Sequence, residues 1–145
     1  DWKTLVLIVG MLPFSIALER TGGVDLAAEL VMNLVGGAGV RVVLATIFAI
    51  TAILGMFISN TATAVLMAPV AISIAEELGL SPRPFAMIVA LAASTAFMTP
   101  VSSPVNTLVV TPGRYTFGDF IKLGVPFSLI VLAVSVALVP WLLPP

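Results

Sequence analysis

Residues 55–69 read GMFISNTATAVLMAP, and the place of Ser59-Asn60-Thr61 within them decides the fold. The nearest charges are Arg41 before the tripeptide and Glu76 after it, with 34 uncharged residues between them. Residues 42–58 supply 17 positions ahead of Ser59, and residues 62–75 supply 14 after Thr61. A 14-residue helix reaches about 21 Å, short of the roughly 30 Å of hydrocarbon in a bilayer. Irregular backbone at that depth also needs protein to cover it. The stretch therefore predicts a re-entrant helical hairpin over 40–79, turning at Ser59–Ala62 near mid-depth and leaving by the face it entered. Arg41, Glu76, Glu77 and GLSPRP (79–84) then share one surface. Two tilted full spans are the competing reading.

Composition sets the solvent. The 145 residues are 60% hydrophobic and 9% charged, with a mean hydropathy of +1.22. A soluble domain carries about a quarter charged residues. The chain reads as an all-α, multi-pass integral membrane protein whose first partner is the lipid bilayer. Net charge is −1 with no basic patch, so no nucleic acid is implied. There is no Cys, which excludes disulfides, and no His. With no carboxylate inside the apolar runs either, the sequence offers neither a nucleophile–base pair nor a metal cluster, and no enzyme is expected. A proton relay through a carboxylate lacks a candidate for the same reason. The opening DWKTLVLIVGMLPF has no small-residue cleavage site, and it reads as the middle of a longer protein, not as a signal peptide.

The other segments follow from the spacing of charges. Lys3 and Glu19 enclose 15 uncharged residues with Pro13 among them, which reads as a short transmembrane helix with Trp2 at the interface. In residues 24–35, Val24, Ala27, Leu30, Val31 and Leu34 form an apolar stripe. Asp25, Glu29, Met32, Asn33 and Gly36 face the other way. That pattern predicts an amphipathic arm on the membrane surface, jointed by the flanking glycines. Arg83 and Arg114 enclose 30 uncharged residues broken at TPVSSPVNT (99–107). Proline removes a helical donor and clashes with the preceding turn. The expectation is a helix over 85–98, an unwound loop at 99–105 and a short helix over 106–111, making a broken helix over 84–112. Residues 112–124 read as a surface loop and an interfacial helix capped by Thr116, and residues 124–143 as a full transmembrane helix ending near Trp141. Positive charges tie across this layout, Lys3, Arg114 and Lys122 against Arg20, Arg41 and Arg83, so orientation stays open.

Isolated Thr46, Thr51, Ser73, Ser94 and Ser128 read as glue between helices. Ser59-Asn60-Thr61 and Ser102-Ser103-Pro104 read differently, because each frees backbone groups at depth. A new helix starts after each break. Helix N-termini carry about half a positive charge and suit an anion, while freed carbonyls suit a cation, the arrangement that secondary transporters use.

SNTA at a hairpin tip, then AASTAFMTPVSSPVNTLVV and YTFGDFIKLGVP, resembles the carboxy-terminal part of the divalent anion/sodium symporters, within the ion-transporter superfamily. The resemblance covers essentially the whole chain. It implies one of two inverted repeats, each with a Ser-Asn-Thr hairpin tip and an unwound transmembrane helix. It implies a secondary active transporter that takes up small divalent anions, dicarboxylate or sulfate-like, with sodium as coupling ion and no other cofactor or metal. By the same resemblance Ser59, Asn60, Thr61, Ser103 and Pro104 bind substrate. Gly55, Ile58, Asn60 and Ser102 bind sodium, although some members carry a hydroxyl residue at the place of Gly55. Residues 1–22 become scaffold, 23–38 the interfacial arm, and 39–145 half of a transport domain that moves as an elevator in a homodimer. A bacterial inner membrane is implied, and the amino-terminal half with the first repeat is missing. A sodium-independent anion exchanger and a non-transporting structural bundle are the alternatives.

Overall fold

Two backbone rules place the helix ends: proline opens helices and glycine turns the chain between them. The computed structural model describes residues 2–35, 37–95, 97–100 and 103–144. Pro82 and Pro104 each occupy a first helical turn, where no N–H is needed, directly after the serine caps Ser81 and Ser103. Gly39 (φ 88°) and Gly79 (φ 66°) take the left-handed region just before one helix and just after another.

The helices are α1 (Trp2–Arg20), α2 (Gly23–Val35), α3 (Val40–Gly55), α4 (Asn60–Glu77), α5 (Pro82–Ser94), α6 (Pro104–Gly113) and α7 (Phe117–Leu142). Among the described residues there is no strand. Prolines 13, 69, 112, 126 and 140 lie inside helices. Membrane helices tolerate this where neighbours satisfy the freed groups.

The core forms where α2, α3, α4 and α5 meet. Leu44, Ile47 and Phe48 from α3, Ala71, Ile74 and Ala75 from α4, Phe85, Ile88 and Val89 from α5, and Ala28 from α2 are buried together. α1 rests on α4 and α2, and α7 on α3 and α5. By contrast, α6 makes no close backbone contact with another helix among the described residues. Outward faces are rich in large apolar side chains, including Trp2, Phe14, Leu108, Phe127, Leu129 and Trp141.

Besides α6, which runs over Pro104–Gly113 instead of 106–111, four features differ from those read in the sequence. The turn between α3 and α4 occupies residues 56–59, so Ser59 is the cap of α4, and Asn60 and Thr61 are its first residues. The helix–turn–helix is present, but its polar tripeptide opens the second helix instead of forming the turn. Unwinding after α5 starts at Thr95, four residues early. The Ser94 hydroxyl donates back to the Ala90 carbonyl (2.9 Å) and the Thr95 hydroxyl to that of Ala92 (2.6 Å). Such back-bonding competes with the helix ladder. The interfacial helix and the final span are one helix, α7, with Gly124 and Pro126 inside it. Thr116 does sit at its start, where its N–H and hydroxyl both donate to the Asp119 carboxylate at 2.8 Å. It is the helix long and apolar enough to cross a membrane by length and composition among the described residues.

The fourth difference is the face of α2. Val24, Ala28 and Val31 are buried, with Met32 and Val35 half-buried beside them, while Leu30 and Leu34 face outward. Spacings of four, three and four still make a helical stripe, rotated from the expected one. Gly36 lies outside the described residues. Ala28 is fully buried, so Ala28→Leu should cost the full-length protein about 1–3 kcal/mol by overpacking. Leu30→Ala should shift stability by under about 0.5 kcal/mol. Thermal unfolding of the purified protein in detergent distinguishes the two faces.

Candidate functional site

The α3–α4 turn is built from short bonds that leave specific groups over. Met56 N–H donates to the Ile53 carbonyl, and the N–H groups of Phe57 and Ile58 both donate to that of Leu54. Among the described residues no backbone N–H donates to the carbonyls of Gly55 or Ile58. Ser59 caps α4: its hydroxyl accepts from Ala62 N–H (3.3 Å), and its carbonyl accepts from the N–H (2.9 Å) and hydroxyl (3.0 Å) of Thr63. By position, the N–H groups of Asn60 and Thr61 have no acceptor inside the helix. Both side chains are half-buried, and Thr63 behind them is fully buried.

The side chain of Asn60 is the unusual one. Its Oδ1 is shut off from solvent and, among the described residues, is the one buried side-chain polar atom with no hydrogen-bond partner. A buried acceptor left unmade costs about 1–3 kcal/mol.

The unwound segment after α5 comes to this turn. Thr99 Oγ1 donates to the Met56 carbonyl at 3.4 Å, across 43 residues of sequence. The same segment is tied forward to α6: Asn106 Nδ2 donates to the Thr99 carbonyl (3.0 Å) and Thr107 Oγ1 to that of Pro100 (2.7 Å). Ser103 caps α6 by accepting from Val105 N–H at 3.3 Å. Pro104, which opens that helix, has no N–H to offer. The hydrogen bonds of Ser103 thus run along its own segment, and none joins it to Ser59, Asn60 or Thr61. Ser102 lies outside the described residues.

Gly55, Ile58, Ser59, Asn60 and Thr61 accordingly cluster around one turn, and the unwound segment reaches that turn through Thr99. Sequence reading missed Thr99, Thr95 and Asn106. Their signal was present in the polar run itself, but residue type alone does not say which hydroxyl spans to another element. Of the glue positions, Thr46, Thr51 and Ser94 bond back to their own helices. Ser128 reaches across, toward the Thr95 carbonyl (3.5 Å). Among the described residues no three His, Cys, Asp or Glu side chains gather as a transition-metal set would require.

The site is therefore made of helix starts, carbonyls and one amide, without charged side chains. Compared with known proteins, the chain matches the CitMHS citrate transporter family over residues 1–145. The chain belongs to that family. It is similar to the uncharacterized transporter YfbS of Escherichia coli, 59% identical over 143 residues, which are 99% of this chain and 23% of that protein. An uncharacterized transporter of Synechocystis is 36% identical over 138 residues, 95% of this chain and 22% of its own length. Sodium/sulfate cotransporter 1 of Chlamydomonas reinhardtii is 29% identical over 135 residues, 92% of this chain and 15% of its own length. The chain thus spans less than a quarter of each of these three relatives. Family and relatives are transporters, not enzymes, and the chain is part of a membrane protein. The family-level resemblance drawn from the Ser-Asn-Thr stretch and the polar loop agrees with this match.

Two substitutions test the turn in the full-length transporter. Ser59→Ala removes the acceptor for Ala62 N–H and should cost about 1 kcal/mol, as lost N-caps do. A Cβ at Gly55 would meet Thr63 Oγ1 at 3.8 Å, an ordinary contact. Gly55→Ala should therefore leave the melting temperature within about 2 °C of the parent, a change of under about 0.5 kcal/mol for a protein of this size class. Thermal unfolding reads both.

Proposed function

We propose that the full-length protein is a secondary active transporter that takes up small divalent anions, dicarboxylate or sulfate-like, coupled to sodium. The observation that carries this reading is Asn60 Oδ1, a buried oxygen without a partner at the first residue of α4. An acceptor of this kind beside the undonated carbonyls of Gly55 and Ile58 suits a small hard cation, which prefers oxygen ligands. The N–H groups of Asn60 and Thr61 at the positive end of the same helix suit an anion. One residue then serves both ions, which is a direct route to coupling them. The name of the Chlamydomonas relative supports sodium and sulfate as the pair, and the family description supports carboxylates.

In this reading α3 and α4 form a re-entrant hairpin in one of two inverted repeats. Ser59, Asn60, Thr61, Ser103 and Pro104 face the anion, and Gly55, Ile58, Asn60 and Ser102 the sodium. Residues 1–22 are scaffold, 23–38 an interfacial arm, and 39–145 half of an elevator-type transport domain in a homodimer of a bacterial inner membrane. The other repeat supplies the remaining helix starts.

The experiment is uptake of labelled succinate, sulfate and citrate into proteoliposomes of the full-length protein, against sodium concentration. Asn60→Ala should weaken half-saturation for sodium and anion alike by roughly ten- to a hundredfold, the usual loss of a hydrogen bond to a charged group. Thr61→Ala should affect the anion more than sodium, and Ser73→Ala neither beyond a factor of about three. Uptake by the parent that ignores sodium would support exchange instead of symport. Parent-like curves for Asn60→Ala would sink the site.

A further inference from the structure

One glycine of the final helix is pressed against the unwound segment. A Cβ built at Gly124 would lie 2.6 Å from the Phe97 carbonyl oxygen, 2.7 Å from its carbon and 2.8 Å from Met98 Cα. All three are backbone atoms, so no rotamer change relieves the clash. Two further contacts join the same surfaces. The Phe97 and Phe127 rings meet edge to face with centroids 4.9 Å apart, and the Ser128 hydroxyl points to the Thr95 carbonyl at 3.5 Å. Gly118, six residues earlier, is open by comparison: a Cβ there meets Thr116 Oγ1 at 3.7 Å.

We infer that Gly124 is a positioning residue, whose missing side chain lets the unwound segment sink onto α7 far enough for Thr99 to reach the hairpin turn. The inference rests on the reading of that turn as the ion and anion site. Carbon contacts relax at about 3.5–4.0 Å, so an added methyl must part the two surfaces by roughly 1 Å. Binding constellations tolerate about 0.5 Å. The Thr99–Met56 bond, already 3.4 Å, does not survive a further lengthening of that size. The effect therefore passes from α7 through Phe97 and Thr99 to Met56, four residues before Asn60. Nothing in the periodicity of α7 marks Gly124, because the contact is made by a loop.

Two readouts on the full-length transporter separate positioning from general stability. The first is hydrogen exchange by mass spectrometry in detergent, which needs no transport. Gly124→Ala should raise exchange severalfold in peptides covering 95–103, where Phe97 N–H donates to the Thr95 carbonyl, and leave α3, α4 and the far end of α7 unchanged. The second is uptake at matched membrane expression: half-saturation for sodium and anion should rise about tenfold, with the maximal rate within a factor of about two. Gly118→Ala should match the parent in both. Parent-like exchange over 95–103 in Gly124→Ala would overturn the inference, and so would uniformly faster exchange in every helix. If Gly124→Ala does not reach the membrane, Phe127→Ala decides, since it removes the ring under Phe97 from a half-exposed site. Faster local exchange over 95–103 then supports the inference and parent-like exchange overturns it. A parent that takes up none of the three anions defeats the proposed function while the exchange result still stands.

Discussion

Lipid does not hydrogen-bond, so every N–H and C=O freed where a helix stops within the apolar layer must find its partner in the protein. The chain stops helices inside long uncharged runs at two places, after Gly55 and after Ser94, and several of the groups released there are met locally. Leu54 takes two donors, Ser59 takes three, and the hydroxyls of Ser94 and Thr95 fold back on their own helix. Among the described residues, the turn after Gly55 keeps several such groups without a partner. The carbonyls of Gly55 and Ile58, the first N–H groups of α4 and the amide oxygen of Asn60 all lie within residues 55–61. Buried polarity without a partner is costly, and the Asn60 oxygen at this turn is the physical basis for the proposed ion site.

The core explains why the turn holds its shape. α3 and α4 are not an isolated hairpin. Both bury their inner faces against α5, with Phe48, Ile74 and Phe85 fully enclosed. Ala28 brings α2 close to the same cluster, and α7 closes on α3 and α5. The polar turn joins two helices of a packed bundle, while large apolar residues cover the outward faces that hydrocarbon or further chain would meet.

Much of this was legible in the residues, for reasons that differ from element to element. Charge spacing located the helices, because in a membrane protein charged residues gather near helix ends. The Ser-Asn-Thr stretch and the Pro-rich run marked both interruptions, since Pro and short polar side chains act on the backbone locally. Boundaries were less legible. The first break moved forward because Ser59 caps α4 in place of turning the chain, a choice made by a single hydroxyl and the Ala62 N–H. The second began early through back-bonding by Ser94 and Thr95, which a hydrophobic run conceals. Asp119 and Lys122 suggested an interface within what is one continuous helix. The α2 stripe was misplaced because Ala28 and Leu30 are both apolar, and only packing tells the buried small residue from the exposed large one. The contacts Thr99–Met56 and Gly124–Phe97 join residues tens of positions apart, beyond any local pattern.

The attachment of α6 has a mechanical consequence. This ten-residue helix is fastened by Asn106 and Thr107 to the carbonyls of Thr99 and Pro100, and by no close helix–helix contact among the described residues. It is therefore a strut between the unwound segment and α7, which starts just beyond residues 114–116 and receives the Tyr115 ring edge to face on Phe120. A ten-residue helix is about 15 Å long, so a tilt of about 5° at its first turn carries its far end by roughly 1 Å. Gly113 and Arg114, at that far end, would hand on to the start of α7 a displacement begun at Thr99.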